Sequence, residues 1–428
     1  MNNPIKAVRG MNDVLPAAAP AWQALEAAAR ELLATHGYAE IRMPVVEPLA
    51  LFRRGVGAGT DIVEKEMYEF TDRSGDALAL RPEGTASCVR AVLEHRLLRE
   101  RPMQRLWYGG PMFRHERPQA GRYRQFHQIG VEAFGMASPA IDAEVILLGA
   151  RLWSRLGLSG LRLEINTLGD PEARAAWRER LVDYFRAHES SLDEDSRRRL
   201  TTNPLRILDS KNPNLAEIIA AAPGFGGFLD AASREHFEAL LGLLDNLGIE
   251  CRINPRLVRG LDYYNRTVFE WITDELGAQG TVCAGGRYDG LIAQFGGQPT
   301  PAVGCAFGLE RLLALMSAQG GQPGSTATAD VYLVSAGEAA LAHALTLADR
   351  LRAERPGLRV QVDCAGGPLG KQFRRADQSG ARVALVLGEE ELAQGSVTLK
   401  ALREEGGDQQ QVAETVLATH LDALLVPA

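Results

Sequence analysis

The fold is decided by two neighbouring stretches, Gly110-Pro-Met-Phe-Arg114-His-Glu116-Arg-Pro118 and Gln125-Phe-His-Gln-Ile-Gly-Val-Glu132. Each is predicted to be a β-strand, and both carry an unusual density of charge for strands. Side chains two positions apart share one face of a strand, so Arg114 and Glu116 are predicted to point the same way. The two strands together predict a β-hairpin with a charged face.

In the second stretch, alternate side chains are predicted to lie on opposite faces of the strand. One face is mostly apolar and suits a hydrophobic core. The other offers an aromatic ring that can stack on a base, a glycine that leaves room for a ligand, and an amide and a carboxylate for directed hydrogen bonds. That face is predicted to be the floor of a substrate site. It consists of Phe126, Gln128, Gly130 and Glu132, and the apolar face consists of Gln125, His127, Ile129, Val131 and Ala133.

A basic loop, residues 119–124, joins the two predicted strands. Its arginines, Arg122 and Arg124, suit phosphate groups because a planar guanidinium group can bind two phosphate oxygens at once. A hairpin with a solvated charged face would show the same alternation. These stretches by themselves therefore leave a purely structural role open, and the choice depends on other segments of the chain.

The composition is that of an ordinary globular protein. The 428 residues are 46% hydrophobic and 24% charged, and a chain of this length can build two or three domains with substantial cores. The net charge of -7 argues against a generally basic nucleic-acid coat protein. It leaves RNA binding open, because local basic patches attract a polyanion whatever the total charge.

The five cysteines are odd in number and widely scattered, without any paired short spacing. This pattern excludes a disulfide framework and a four-cysteine zinc site, and it predicts reduced, mostly buried thiols. The first residues lack the apolar core of a signal peptide, and no apolar run approaches the length that spans a membrane. We therefore expect a cytoplasmic protein without a membrane partner.

The N-terminal part is predicted to contain a helix over residues 21–35 and a strand over 41–46. The strand contains Pro44, which donates no hydrogen bond to a ladder and so fits an edge or a bulge. Residues 67–80 are predicted to form a hairpin whose second arm leads into a helix that starts near residue 85. Later predicted elements are helices over 139–157, 171–188 and 233–247, strands over 268–272, 281–283 and 301–308, and a helix from about 309.

The clearest linker is the segment 318–328, which is rich in Gly, Ser and Thr and poor in large apolar residues. Beyond it, predicted strands alternate with predicted helices, which indicates a small α/β domain. The strands are predicted over 330–334, 359–362 and 382–387, and the helices over 339–355 and 369–378.

Four ordered motifs resemble those of the histidyl-tRNA synthetase family, of the bacterial type, among the class II aminoacyl-tRNA synthetases. The two charged stretches and their loop are similar to motif 2 of that class. The others are residues 80–85 (Leu-Arg-Pro-Glu-Gly-Thr), 257–264 (Leu-Val-Arg-Gly-Leu-Asp-Tyr-Tyr) and 284–290 (Ala-Gly-Gly-Arg-Tyr-Asp-Gly). The last two resemble the paired signatures of the histidine enzyme. The resemblance runs from Arg9 to the C-terminus.

The resemblance implies an α+β class II synthetase catalytic domain, in which an antiparallel sheet is flanked by helices, and a C-terminal α/β anticodon-binding domain. We expect the catalytic domain over residues 1–325, with a helical insertion at about 170–250, and the anticodon-binding domain over 326–428. Residues 21–46 resemble motif 1, which builds the dimer interface in this class, and residues 301–311 resemble motif 3. A homodimer is therefore expected.

The resemblance also implies ATP-dependent ligation of L-histidine to tRNA(His). Histidine's carboxylate attacks the α-phosphate of ATP to give histidyl-adenylate and pyrophosphate, and the acyl group then moves to the tRNA with release of AMP. Both steps collect negative charge, so the site needs guanidinium groups fixed around the reacting centres. ATP is a substrate here, and Mg2+ is expected with it, although the sequence assigns the metal no protein ligands.

Five residues are expected at ATP by their positions in the family's motifs. Arg114 is expected at the α-phosphate, and Arg311 at the γ-phosphate with help from Arg122. Glu116 and Phe126 are expected to bind and stack the adenine.

Arg259 is the most distinctive of the implied residues. It is expected to bridge the histidine carboxylate and the α-phosphate, so that Arg259 and Arg114 are the expected catalytic residues. Without the resemblance, an arginine in the run Arg-Gly-Leu-Asp would be interpreted as an ordinary surface or ion-paired residue.

Recognition of histidine is expected to depend on Glu132 and Tyr264, one at each imidazole nitrogen. The two nitrogens are chemically distinct and need complementary partners, and a buried polar site rejects ligands that leave those partners unpaired. Taken singly, these residues and their neighbours could equally serve packing or start a helix. The resemblance implies Glu83, Thr85 and Gln128 at the α-amino end of histidine and Arg259 at its carboxylate. Tyr263 and Tyr288 are candidate wall residues of the site, and a role in packing is equally open for each.

Two other functions remain open at this point. One is a non-catalytic regulatory paralogue of ATP phosphoribosyltransferase, which typically lacks the C-terminal domain and much of the substrate-binding set. The other is an amino-acid-activating ligase of the same fold that does not use tRNA. The predicted C-terminal domain argues against both.

Overall fold

The structure, a computed structural model, describes residues 5–57, 60–119, 121–202, 204–208, 210, 212–277, 280–321, 327–403 and 409–425. The chain divides into two compact units, Met1–Pro323 and Gly324–Ala428. Among the described residues, no single helix has both the length and the apolarity to cross a membrane, and one bent pair, 213–228 with 231–246, meets those criteria only when its two helices are taken together.

The first unit mixes strands and helices along its whole length. Its strands are β1 (Ala39–Glu40), β2 (Val46–Pro48), β3 (Tyr68–Thr71), β4 (Ala77–Leu80), β5 (Gln104–Phe113), β6 (Gln125–Phe134), β7 (Arg162–Thr167), β8 (Cys251–Ile253), β9 (Asn265–Ile272), β10 (Thr281–Arg287) and β11 (Ala302–Gly308). Its helices are α1 (Ala19–Thr35), α2 (Leu49–Gly55), α3 (Thr85–Glu94), α4 (Leu97–Glu100), α5 (Pro139–Arg155), α6 (Pro171–Ala187), α7 (Glu194–Thr202), α8 (Ala216–Ala220), α9 (Ala231–Asn246), α10 (Leu291–Gln294) and α11 (Leu309–Ala318).

An eight-stranded sheet, in the order β1-β5-β6-β11-β10-β9-β7-β8, forms the centre of this unit. Its six inner strands pair antiparallel, whereas the short edge strands β1 and β8 pair parallel with β5 and β7. The predicted antiparallel sheet is therefore mixed at its edges. Parallel neighbours need a long connection, and the helices α6 to α9 supply it between β7 and β8.

The two charged stretches form the predicted hairpin, with Trp107 opposite Val131 and Phe113 opposite Gln125. The prediction that Arg114 and Glu116 lie within the first strand is wrong, because β5 ends at Phe113. The Arg114 amide still donates to the Arg124 carbonyl at 2.9 Å, but the Glu116 amide donates back to the Arg114 carbonyl at 2.8 Å. This local turn ends the ladder, so the charged residues lie on a curved segment beside the sheet.

The predicted strand over 41–46 is also wrong. Strand β1 stops at Glu40 and β2 begins at Val46, in a separate three-stranded sheet with β4 and β3. Pro44 lies where the chain passes from one sheet to the other and donates no hydrogen bond. The hairpin predicted over 67–80 is confirmed as β3 and β4.

Two hydrophobic clusters cover the two faces of the central sheet. The first contains Ile129 and Val131 of β6 together with side chains of α1, α5, α9 and α11, which confirms the predicted apolar face of β6. The second lies on the other face and includes Met112, Phe134 and Tyr264, with side chains of α3. The predicted substrate floor of β6 therefore faces the second cluster.

The predicted helical insertion divides between these two clusters. Trp177, Leu181 and Phe185 of α6 belong to the second cluster, on the side of the predicted substrate floor. Leu240 and Leu244 of α9 belong to the first cluster, where they pack with α5 under the central sheet. Only the part of the segment before α9 therefore covers the floor side.

The second unit has its own five-stranded sheet, in the order β13-β12-β14-β15-β16. The first three of these strands pair parallel and the last two antiparallel. The elements predicted from the sequence are confirmed, and the structure adds β15, β16, α14 and α15. The strands are β12 (Val331–Ser335), β13 (Val360–Val362), β14 (Val383–Leu387), β15 (Ser396–Ala401) and β16 (Gln409–Ala413), and the helices are α12 (Glu338–Glu354), α13 (Leu369–Gln378), α14 (Glu389–Gln394) and α15 (Leu417–Leu425).

The cysteines have the state that their spacing predicts. All five lie in the described part of the chain and are free thiols. Cys88, Cys283 and Cys305 are buried, Cys251 is half-buried and Cys364 is exposed.

Candidate active site

A cavity of about 490 Å³ opens on the floor side of the central sheet, between the turn after β5 and the strands β6, β10 and β11. Many of the site residues expected from the motifs line this cavity, although these residues are far apart in the sequence. Its lining includes Arg114, Glu116, Arg122, Phe126, Gln128, Arg259, Glu270, Thr281 and Arg311.

Five arginines line this cavity. Arg199 is paired with Asp195 and Asp61, and we call the other four, Arg114, Arg122, Arg259 and Arg311, the arginine cluster. Burial first, and then the positive charges of Arg122, Arg114 and Arg259, lower the pKa of Arg311 to about 10. A guanidinium group whose pKa is lowered by three others lies in a strongly positive field. The cluster is therefore suited to a ligand with several negative oxygens, such as a polyphosphate.

Two members of the cluster are held by carboxylates of the protein. Arg259 forms an ion pair with Glu270, which also accepts a hydrogen bond from the Thr281 hydroxyl at 2.9 Å. Arg122 forms an ion pair with Glu116. Within the described part of the chain, the Nε of Arg259 is buried without a hydrogen-bond acceptor. A buried donor of this kind favours an additional acceptor from a ligand.

Arg114 is positioned by a carbonyl and an aromatic ring. Its Nε donates to the Pro82 carbonyl at 2.9 Å, and burial lowers its pKa. Its guanidinium carbon lies 5.2 Å from the centroid of the Phe126 ring, a cation–π distance. The flat ring expected at adenine therefore lies beside the arginine cluster.

Gln128 lies on β6 between two glycines. Across the two ladders its backbone neighbours are Gly110 of β5 and Gly308 of β11. Gly308 has no side chain and lines the cavity with Gln128, whereas the space over Gly110 is occupied by the Arg81 guanidinium group, which an added Cβ atom would meet at 2.7 Å. The strand face thus borders the cavity at Gln128, but the expectation that Gly130 leaves room for a ligand is wrong, because the Tyr108 ring fills that space.

A second group of site residues surrounds two buried carboxylates, Glu83 and Glu132, and we call this group the carboxylate pocket. Glu83 lies just before α3 and accepts hydrogen bonds from the amides of Thr85 at 2.6 Å and Ala86 at 2.9 Å. Burial raises the pKa of Glu83, and these hydrogen bonds oppose the shift. The side chain therefore also fills the helix-start position that was an alternative interpretation of its sequence context.

Glu132 is 1% exposed and accepts hydrogen bonds from hydroxyl groups on three elements. Thr85 donates at 2.8 Å and Tyr108 at 2.9 Å, and Tyr288 donates as well. Burial raises the pKa of Glu132 to about 8, and the hydroxyl groups act against that rise. Thr85, expected at the α-amino end of histidine, thus contacts the carboxylate expected at the imidazole.

The expected tyrosines lie close together in the carboxylate pocket. The ring centroid of Tyr263 is 4.6 Å from that of Tyr264 and 5.6 Å from that of Tyr288. Burial raises the pKa of Tyr264 to about 12, and the charge of Arg259 opposes that rise. The carboxylate pocket adjoins the arginine cluster, because Arg114 donates to the carbonyl of Pro82, the residue before Glu83.

Glu270 and Thr281 at the arginine cluster, and Tyr108 and Arg174 at the carboxylate pocket, were missed by sequence reasoning. Tyr108 contacts Glu132, and Arg174 of α6 donates to the carbonyls of Asp262 at 2.9 Å and Tyr264 at 2.8 Å. One signal could have found Tyr108, because it pairs with Gly130 in the predicted hairpin, and a tyrosine opposite a glycine has room to lie across the strand. The sequence contains no comparable signal for Arg174.

A larger cavity of about 1070 Å³ lies on the other side of Tyr263 and Tyr264, against α6 and α7. Arg174, Arg178 and Arg186 line it together with Glu179 and Asp183. Its mixed charges do not indicate one ligand. Among the described residues, no group of three or more His, Cys, Asp or Glu side chains is arranged to hold a metal ion.

Family models match both units of the chain. A model described as histidyl-tRNA synthetase matches residues 10–312, and a model described as an anticodon binding domain matches residues 330–423. Two solved structures share the fold at low identity. Histidyl-tRNA synthetase from Nostoc sp. PCC 7120 is 22% identical, with a TM-score of 0.70, and the alignment covers 99% of this chain and 100% of that one. A Bacillus halodurans protein described as an ATP phosphoribosyltransferase regulatory subunit/histidyl-tRNA synthetase is 23% identical, with a TM-score of 0.64, over 91% of this chain and 99% of that one.

A third solved structure is more similar. Apo histidyl-tRNA synthetase from S. aureus is 34% identical, with a TM-score of 0.81, and the alignment covers 98% of this chain and 100% of that one. This similarity and the family match over most of the first unit lead to the same conclusion: the chain belongs to the histidyl-tRNA synthetase family.

Proposed function

We propose that this protein ligates L-histidine to tRNA(His) at the expense of ATP, through a histidyl-adenylate intermediate, with release of AMP and pyrophosphate. One observation carries the proposal: a buried carboxylate, Glu132, is held by three hydroxyl groups in a pocket that adjoins a cluster of four arginines through the hydrogen bond from Arg114 to the Pro82 carbonyl. The first feature suits an imidazole, and the second suits a triphosphate.

The arginine cluster would bind ATP and stabilise the first transition state. Histidine's carboxylate oxygen forms a bond to the α-phosphorus while the bond to pyrophosphate breaks, and negative charge spreads over the phosphoryl oxygens. Arg114 and Arg259 would hold those oxygens, and Arg311 and Arg122 would hold the departing phosphates. Magnesium would enter bound to the ATP phosphates.

Binding of ATP would change the internal partners of the cluster. Arg122 now pairs with Glu116, and Arg259 with Glu270. Phosphate oxygens compete for the guanidinium groups, so Glu116 would be free to accept a hydrogen bond from the adenine amino group while the base stacks on Phe126. The pairs thus keep the arginines in place until the substrate arrives.

The carboxylate pocket would recognise histidine. Glu132 would accept the N–H of one imidazole nitrogen, and the Tyr264 hydroxyl would contact the other. Glu83 and Gln128 would bind the α-amino group, and Tyr263 and Tyr288 would enclose the ring. An amino acid whose side chain has no N–H group at this position would leave an acceptor position of the buried Glu132 carboxylate unfilled, which makes the pocket selective.

The second step needs tRNA, which we propose is held by residues 326–428 as an anticodon-binding domain. We also propose that the protein is a cytoplasmic homodimer. Exposed apolar side chains near the N-terminus, including Ile5, Val8 and Leu15, support a contact with a second copy. Sedimentation equilibrium of the intact protein tests the dimer.

The function is tested by ATP–pyrophosphate exchange with a panel of amino acids, followed by tRNA charging with the one that is active. We expect exchange with histidine alone and charging of tRNA(His). Exchange that is equally fast with another amino acid would reject the assignment. No exchange with any amino acid would favour the regulatory paralogue, and exchange without charging would favour a tRNA-independent ligase.

A further inference from the structure

Two glycines leave the space that the Tyr108 ring occupies. A Cβ atom added to either Gly84 or Gly130 would lie 2.1 Å from an atom of that ring. Gly130 lies directly opposite Tyr108 in the β5–β6 pair, and Tyr108 itself is 1% exposed. The ring is therefore held between two backbone segments, with its hydroxyl at the Glu132 carboxylate.

The hydrogen bonds to Glu132 are distributed unevenly over its two oxygens. Oε1 accepts from both Thr85 at 2.8 Å and Tyr108 at 2.9 Å, whereas Oε2 accepts from Tyr288. A carboxylate has about four acceptor positions, two on each oxygen. Donors in the described part of the chain thus fill Oε1 and leave one position on Oε2. Oε2 packs against the backbone of Gly304, since a Cβ atom added to this glycine would lie 1.9 Å from Oε2. That side of the oxygen is therefore closed to a ligand.

We propose that Tyr108 is a positioning residue for histidine specificity. With Thr85 it fixes Oε1, so that the single remaining acceptor position of Glu132, on Oε2, faces the ligand. The ligand class is then a side chain with one N–H group aimed at that oxygen, as in an imidazole. The inference rests on the proposed function and deepens it, because it names Oε2 of Glu132 as the atom that accepts the hydrogen bond from the imidazole N–H group.

A purely structural role for Tyr108 has different consequences. The ring packs in the second hydrophobic cluster with residues such as Met112 and Phe134, and phenylalanine in its place keeps that packing. Tyr108→Phe therefore removes the hydroxyl alone. Tyr38→Phe is a matched control, because the Tyr38 hydroxyl also donates to a carboxylate, Glu144 at 3.2 Å, outside the site.

The test compares wild type, Tyr108→Phe and Tyr38→Phe in ATP–pyrophosphate exchange. For Tyr108→Phe we expect the KM for histidine to rise about tenfold, the scale of one hydrogen bond to a charged group, while kcat and the KM for ATP stay near wild type. Thienylalanine, whose ring has no N–H group, serves as a competitive inhibitor. Its inhibition constant should not change, because it makes no hydrogen bond to Oε2.

An unchanged KM for histidine in Tyr108→Phe would overturn the proposal. A parallel rise in the KM for histidine and the inhibition constant of thienylalanine would also overturn it, because it would show a general distortion of the pocket. If Tyr108→Phe does not fold, Thr85→Val removes the other donor to Oε1. It should raise the KM for histidine by a larger factor than the inhibition constant of thienylalanine, because an α-amino contact of Thr85 affects both ligands alike. A wild-type protein without histidine-dependent exchange would refute the proposed function itself, whereas a normal wild type with a normal variant refutes only this inference.

Discussion

The two halves of the site hold their charges in opposite ways. In the arginine cluster, Arg122 and Arg259 are neutralised by carboxylates, Glu116 and Glu270, for which a phosphate can substitute. In the carboxylate pocket, Glu83 is held by backbone amides and Glu132 by hydroxyl groups, and these partners can stay in place when a ligand arrives. We propose that the first half exchanges partners during the reaction, whereas the partners in the second half stay fixed.

This difference separates the expected effects of mutation. Groups that act on charge developing in the transition state change the rate, whereas groups that bind substrate and transition state equally change KM. Loss of a member of the arginine cluster near the α-phosphate should therefore lower the rate. Loss of a member of the carboxylate pocket should weaken histidine binding.

The largest effect is expected for Arg259→Ala. Removal of one preorganised donor to developing charge typically costs about a hundredfold to a thousandfold in rate, and here it also leaves Glu270 without its ion pair. Rapid-quench measurement of adenylate formation should show this fall with a modest change in ATP binding. Arg259→Lys should rescue poorly, because an ammonium group lacks the planar fork. A near-normal rate in Arg259→Ala would assign the residue a structural role.

Glu132→Ala should raise the KM for histidine far more than the KM for ATP. Loss of a hydrogen bond to a charged group costs about 1.5–3 kcal/mol, roughly one to two decades in affinity. Steady-state exchange at varied histidine and fixed, saturating ATP measures the change. An unchanged histidine requirement would place Glu132 outside the recognition site.

Arg311→Ala should raise the KM for ATP about tenfold, because a charge-assisted hydrogen bond to phosphate is lost, and leave the KM for histidine near wild type. Arg162→Ala is the control, since Arg162 forms an exposed ion pair with Asp274 in the same unit. Equal changes in both KM values would contradict the separation of the two halves.

The smallest effect is expected for Thr281→Val, which removes the 2.9 Å hydrogen bond that positions Glu270 beside Arg259. One neutral donor contributes about 0.5–1.5 kcal/mol, so adenylate formation should slow by roughly twofold to tenfold. Thr398→Val is a matched control, because Thr398 donates to Glu391 at 2.8 Å in the second unit. A slower reaction in both variants would indicate a loss of stability and not of positioning.

The sequence predicted elements well where the pattern is local. The helix over 369–378 is observed as predicted, and the two charged stretches form the expected hairpin. The errors have physical causes. Pro44 cannot join a ladder at the crossing between two sheets, and the turn at Arg114 ends β5 before the charged residues. Strand β16 was missed because its run Gln-Gln-Gln-Val-Ala contains little apolar alternation.

The site residues were expected from the family's motifs alone, and their roles stay predictions. The expected residues gather around two adjoining regions, but their partners depend on contacts across long sequence distances. Tyr108 follows Leu106 and Trp107 in an apolar run and resembles a core tyrosine, whereas its hydroxyl contacts Glu132 on the next strand. Arg174 reaches carbonyls that lie about 90 residues further along the chain. Local periodicity contains no information about such contacts.

We propose that the arginine cluster stabilises the charge that develops during adenylate formation and that the carboxylate pocket recognises histidine. Single-turnover adenylate formation, measured over a wide range of histidine concentrations in Glu132→Ala and Arg259→Ala, separates these two roles. We expect high histidine to restore most of the maximal rate in Glu132→Ala and none of the loss in Arg259→Ala. The same response to histidine in both variants would contradict it.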